Sequence, residues 1–156
     1  MQPPKNDLPK QAVEQNELIV ALADIPGGRD LVEWFDSEPH FGDAEVVSLY
    51  LDRKGPSLLR IAVEHRGKYA TVVFELTHWI DANLYGFSHQ NVIGGLQLRR
   101  AEDRDVQPWE LGVGCQPGEW LVELEPCFGA YGTIRANVAR ISFEKTETSE
   151  CEILDS

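Results

Sequence analysis

The chain of 156 residues sets 14 Lys and Arg against 26 Asp and Glu, a formal charge of −12, with 42% apolar and 26% charged residues. That is the composition of one globular domain able to form a single core. The acidity excludes a basic nucleic-acid footprint and opposes binding to anionic membranes. No apolar run approaches the roughly 20 residues of a membrane span. Cys115, Cys127 and Cys151 are odd in number and lack C-x-x-C spacing, and "MQPPKNDLPKQ" shows no apolar stretch after a basic start. The expectation is a soluble cytoplasmic protein with reduced cysteines, whose charge suits a basic protein partner.

In chain order, residues 1–16 are polar and charge-neutral and read as a flexible N-terminal tail. Residues 17–145 read as a single β-rich domain, and residues 146–156 as an acidic C-terminal tail. An apolar run at 18–23, closed by Pro-Gly-Gly, fits a helix or a strand equally. "RDLVEWFDSEP" then predicts a short helix capped by Asp30, with Leu31, Trp34 and Phe35 on one face and Pro39 as its stop.

From Ala44 the period changes to two. Val47, Leu49 and Leu51 share a face, as do Leu59, Ile61 and Val63, and then Ala70, Val72, Phe74 and Leu76. A two-residue turn at Arg66-Gly67 would pair Val63 with Ala70, Ile61 with Val72 and Leu59 with Phe74. A five-residue loop, "RKGPS", would pair Leu51 with Leu59, Leu49 with Ile61 and Val47 with Val63. Further strands are expected in "NVIGGLQLRR", "VQPWELGVG", "EWLVELE" and "YGTIRANVARISFEK". In the last, apolar phase switches between Val138 and Ile141, which predicts a β-bulge or bend near Ala139. Paired glycines in "VIGGLQL" suggest close approach of another backbone rather than a phosphate cradle, since no helix or Gly-Lys-Ser/Thr follows. The fold class is therefore mainly β, bordering α+β. It is expected as an antiparallel meander of about seven strands forming a bent sheet or sandwich, with one short N-terminal helix.

The residues with most chemical character stand in "EPHFGDAEVV". His40, Asp43 and Glu45 have residue types suited to a metal or to acid/base work. On an extended chain Asp43 and Glu45 point the same way, into the apolar phase of Val47, Leu49 and Leu51. Two carboxylates cannot run unpaired into a core. Either the sheet ends there in an open polar rim, or an irregularity turns them outward. Three readings follow for His40, Asp43 and Glu45: the start of a strand, a partner-binding rim, or a small metal-dependent enzyme or ligand-binding site. The other histidines, His65, His78 and His89, do not converge by the pairing above. "FSHQN" cannot form a nucleophile–base pair with a third orienting group, and Gln90-Asn91 suit backbone satisfaction where a strand begins. The four tryptophans read as core or rim, with one as a possible exposed anchor. No catalytic residue, metal or cofactor is assigned, and docking is preferred for the rim.

The order "WFDSEPHFGDAEVVSLYLD", "GFSHQNVI" and "LEPCFGAYGTIRANVARISF" resembles the bacterial polymorphic-toxin immunity protein family numbered fifty, across most of residues 30–144. Phe41, Asp43, Ala44, Glu45 and Val46, then Gln90-Asn91, carry the likeness. Gly42 stands where that family usually has histidine, and His40 where serine is common. The resemblance implies a cytoplasmic protein that binds and neutralises a cognate toxin without catalysis of its own.

Overall fold

A computed structural model describes residues 10–106 and 118–146. Within them lie helices α1 (Lys10–Ala23) and α2 (Gly28–Phe35), and strands β1 (Glu45–Tyr50), β2 (Ser57–His65), β3 (Lys68–Tyr85), β4 (Val92–Arg100), β5 (Glu119–Phe128) and β6 (Tyr131–Thr146). A 3-10 turn, Asp103–Asp105, follows β4. The fold is mainly β and antiparallel throughout, and the sheet goes further than a bend: it closes into a barrel in the order β1-β2-β3-β6-β5-β4. The strand expected in "VQPWELGVG" falls largely outside the described residues. No helix among those described is long and apolar enough to cross a membrane.

α1 settles the ambiguous run at 18–23 as helix and starts at Lys10, within the residues expected as a tail. Leu18, Ala21 and Leu22 recur at helical spacing and are buried together, on the face that meets β4. α2 presents Leu31, Trp34 and Phe35 inward, as their spacing requires. It is not capped by Asp30, which lies in its first turn near the positive end of the helix dipole. The cap position is Gly27, at φ 85°, and a side chain there would strike the Ile141 carbonyl. That closeness lets the Ile141 N–H donate to Pro26 O at 2.8 Å, so the interhelical turn is fastened to β6. From α2, Phe35 meets Phe41 at 5.8 Å between ring centres, and Phe41 meets Phe74 in the core at 6.5 Å.

The β2–β3 hairpin has the expected register, Val63 with Ala70, Ile61 with Val72 and Leu59 with Phe74. Arg66 and Gly67 both take positive φ, 51° and 78°, the twist that suits a two-residue hairpin. The β1–β2 register differs from expectation. Val46 pairs with Ile61 and Leu49 with Leu59, because the ladder bulges between Val46 and Ser48. Val47, the extra residue, is 56% exposed, whereas Val46 is 4% exposed. The bulge expected near Ala139 is present, since Glu75 pairs with Arg140 but Leu76 with Val138. A larger irregularity separates Thr77 from Asp81 and holds His78 at φ 46°.

Beyond these irregularities β3 and β6 continue as an arm against β5, and Asp81 and Arg135 on its outer face are buried. Ile134 and Ala136 face the core. Arg135, on the opposite face by strand alternation, is only 1% exposed. Its Nε lies 3.1 Å from the Glu119 carboxylate, and its Nη1 donates to the Asp105 carbonyl at 2.8 Å. Asp81, its cross-strand neighbour, is buried beside it and accepts from Asn83 at 2.9 Å. Asp105 in turn takes two bonds from the Arg99 guanidinium, at 2.9 and 2.8 Å, and one from the Glu102 N–H at 2.7 Å. This network fixes the Asp103–Asp105 turn over the outer face of the sheet.

Removing the cation from such a group leaves buried carboxylates without their counter-charge. Arg135→Met should cost about 3–5 kcal/mol in urea unfolding, and unchanged stability would show the network to be dispensable. The hydrogen bonds from Arg99 hold the Asp105 carboxyl below the ordinary aspartate range, only partly opposed by desolvation. A carboxylate with a depressed folded-state pKa stabilises above its unfolded value and loses that stability as pH falls through the folded one. Asp105→Asn should therefore flatten the decline in melting temperature below about pH 4, relative to the parent chain.

Candidate functional site

The three segments that stood out in the sequence meet at one end of the barrel. Residues 43–46 run beside the start of β4: the Asp43 N–H donates to Ile93 O at 3.0 Å, the Ile93 N–H to Ala44 O at 2.9 Å, and the Val46 N–H to Asn91 O at 2.8 Å. The same Asn91 receives two further donors on its side chain. Its Oδ1 accepts from the Ser88 N–H at 2.9 Å and from the Ala130 N–H at 3.1 Å, while its Nδ2 donates to Ser88 O at 3.0 Å. One amide thus ties the strand start at 43–46, the loop "GFSHQN" and the turn "CFGAYG" into one surface. Gly86 and Gly129 make the approach of the latter two possible, since a Cβ on Gly86 would stand 2.5 Å from the Gly129 carbonyl.

What this end presents to solvent is aromatic. Tyr85, Phe87, Phe128 and Tyr131 are 56%, 50%, 51% and 41% exposed. Tyr85 and Tyr131 lean together at 5.6 Å, and the His89 ring meets Phe128 edge-on at 6.0 Å. The Cys127 thiol is free and exposed in the same turn. Large rings held outward on hydrogen-bonded loops are costly to solvate and characteristic of recognition surfaces.

The expected acidic rim borders this surface, with its geometry corrected. Asp43 is exposed and sits at φ 64°, in the left-handed region that aspartate tolerates better than most residues. That turn breaks the alternation before the strand begins, so the inward phase is Phe41, Ala44 and Val46. Asp43 is turned out, and Glu45 is half-buried on the strand, between Ala62 and Val92. They do not share an inward face, and the irregularity rather than an open barrel mouth is the reason. His40 is separated from them: it is exposed and lines a cleft with Gln97 and Glu125, between the 39–42 segment, α1 and β4. Among the described residues no three His, Cys, Asp or Glu side chains are arranged to hold a metal ion, so His40, Asp43 and Glu45 do not form such a group.

Of the other histidines, His89 joins the aromatic surface through Phe128, while His65 and His78 lie apart. His65 adjoins the Arg66-Gly67 turn and packs on Phe35 at 5.4 Å. His78 occupies the β3 irregularity, beyond the last β2–β3 pair, Ser57 with Leu76. Trp34 and Trp120 are buried, so the exposed anchors among the described side chains are phenylalanine and tyrosine. The sequence signal for them was present but undirected, because an aromatic beside a glycine reads as a turn before it reads as a surface.

Replacing Asn91 removes the junction of the three segments. Asn91→Ala should cost about 1–3 kcal/mol and speed hydrogen exchange of the Ser88 and Ala130 amides selectively. Uniform exchange changes across the barrel would instead mark it as an ordinary surface residue. No protein-family model, curated protein or solved structure matches the chain.

Proposed function

We propose that the chain is a non-catalytic binding protein, an immunity protein that neutralises a cognate bacterial toxin in the cytoplasm by direct contact. The observation that carries this reading is the exposed ring cluster Tyr85, Phe87, Phe128 and Tyr131, beside Asp43 and Glu45 at the same barrel end. Aromatic anchors supply most of the affinity at protein interfaces. A carboxylate rim on a chain of charge −12 steers a basic partner and raises its association rate. The residues that carry the family resemblance are those that build this end, which is how a recognition surface should be distributed. His40 contributes to the adjoining cleft, in keeping with a binding role for it.

The partner is to be sought in the neighbouring reading frame, as a secreted protein with a toxic C-terminal domain. Against that purified domain, Phe87→Ala and Phe128→Ala should each weaken binding by about 2 kcal/mol, roughly thirtyfold. Asp43→Asn, which keeps a residue tolerant of the left-handed backbone, combined with Glu45→Gln should slow association and reduce its salt dependence. An affinity untouched by the double phenylalanine variant would move the interface elsewhere.

A further inference from the structure

We infer that the cleft beside the aromatic end is a binding site for one alkyl cation, the side chain of an arginine or lysine presented by the partner. The inference rests on the binding function proposed above and names the chemistry of one contact within it. The cleft has a volume of about 160 Å³, below the ~300–1,000 Å³ of pockets that hold drug-sized ligands. It suits a single long side chain rather than a nucleotide or a cofactor.

Its walls divide by polarity. Leu18, Phe41 and Leu96 supply apolar surface for an alkyl stem, and each is itself almost fully buried. Gln97, Glu125 and His40 supply the polar part. The Glu125 carboxylate is held rather than free to swing: its Oε1 accepts from the Gln97 amide at 2.8 Å. No donor among the described residues reaches its Oε2, and the residue lines the cleft. A carboxylate fixed in this way selects a cation and excludes an anion, and charge-assisted bonds to it are stronger than neutral ones.

Three glycines leave the cleft open. Gly42, Gly94 and Gly95 all line it. A Cβ on Gly95 would stand 3.3 Å from the Glu125 carboxylate, and one on Gly94 would stand 2.9 Å from the Pro126 carbonyl. The backbone is bare where a ligand head would lie. The site is also continuous with the proposed interface, since Gly42 precedes Asp43 and Pro126 lies two residues before the exposed Phe128. A basic partner seated on the rings therefore brings its side chains over the cleft.

The test is a titration of the full chain with agmatine, followed by the backbone amides of Gly94 and Gly95 and the side-chain amide of Gln97 in NMR spectra. Saturable shifts are expected at those groups, with the neutral analogue n-butylurea giving none. Glu125→Gln, which keeps the shape, should weaken agmatine at least about tenfold. Glu123→Gln, which removes the same charge from the paired position outside the cleft, should leave it within about twofold. Absence of saturable shifts, or equal affinity in Glu125→Gln, would overturn the inference. The two proposals separate cleanly. Failure with agmatine, while the toxin domain still responds to Phe87→Ala, removes only the cleft. Agmatine binding without toxin binding leaves the alkyl-cation site and removes the immunity function.

Discussion

A barrel must close, and here closure depends on a short seam. The ladder between β1 and β4 has the single registered pair Glu45 and Val92, with backbone bonds joining residues 43–46 to 91–93. Every other neighbouring pair of strands is joined over five residues or more. A sheet left unclosed would expose two edges ready to pair with other chains. The chain manages them by making the seam from a turn rather than a long strand, and by laying α1 on β4. The left-handed Asp43, the bulge at Val47 and the triple use of Asn91 all serve that joint.

The same economy explains how large rings can stand outward there. Loops and strand starts at a seam need hydrogen-bonding residues and positive-φ positions, which frees their large side chains from any duty in the core. Phe87 and Phe128 stand outward on backbone already fixed by Asn91 and by the β4–β5 ladder. A partner would meet rings carried on backbone that is already ordered, so less backbone entropy is lost on association. On the outer face of the arm the charges are buried, with Arg135 beside Glu119 and Asp81 and donating to the Asp105 carbonyl of the Asp103–Asp105 turn. The chain thus separates buried charge that fixes shape from exposed charge that meets solvent.

What could be read in the sequence follows from the range of the interaction that decides it. The β2–β3 register was legible because the Arg66-Gly67 turn and the alternation beside it are local and agree. The Ala139 bulge was legible because its phase switch is written in one strand. The bulge at Val47 was not, since two adjacent valines allow either phase, and choosing the wrong one inverted the faces assigned to Asp43 and Glu45. Leu18, Ala21 and Leu22 did carry a helical period, but six apolar residues alone could not exclude a strand. Barrel closure and the Arg135 network join residues tens of positions apart. Arg135, between Ile134 and Ala136, reads as any solvent-facing strand residue until Glu119 and Asp81 are brought beside it. In the candidate site the segments were visible one by one, while their meeting at Asn91 was not.

β3 and β6 are the two long strands, and their pairing joins both halves of the barrel, Tyr69 with Thr146 at one end and Tyr85 with Tyr131 at the other. That gives the fold a high contact order, and such topologies pay loop-closure entropy before long-range contacts repay it, so they fold slowly. During synthesis the first three strands leave the ribosome with Ile61, Val72 and Phe74 lined up on one face and only the two helices and Phe41 yet made to cover it. The nascent meander is then an apolar sheet with an open edge, the species most exposed to chaperones and to aggregation. Among the described strands β6 is made last, and it converts that liability into the interior of a barrel.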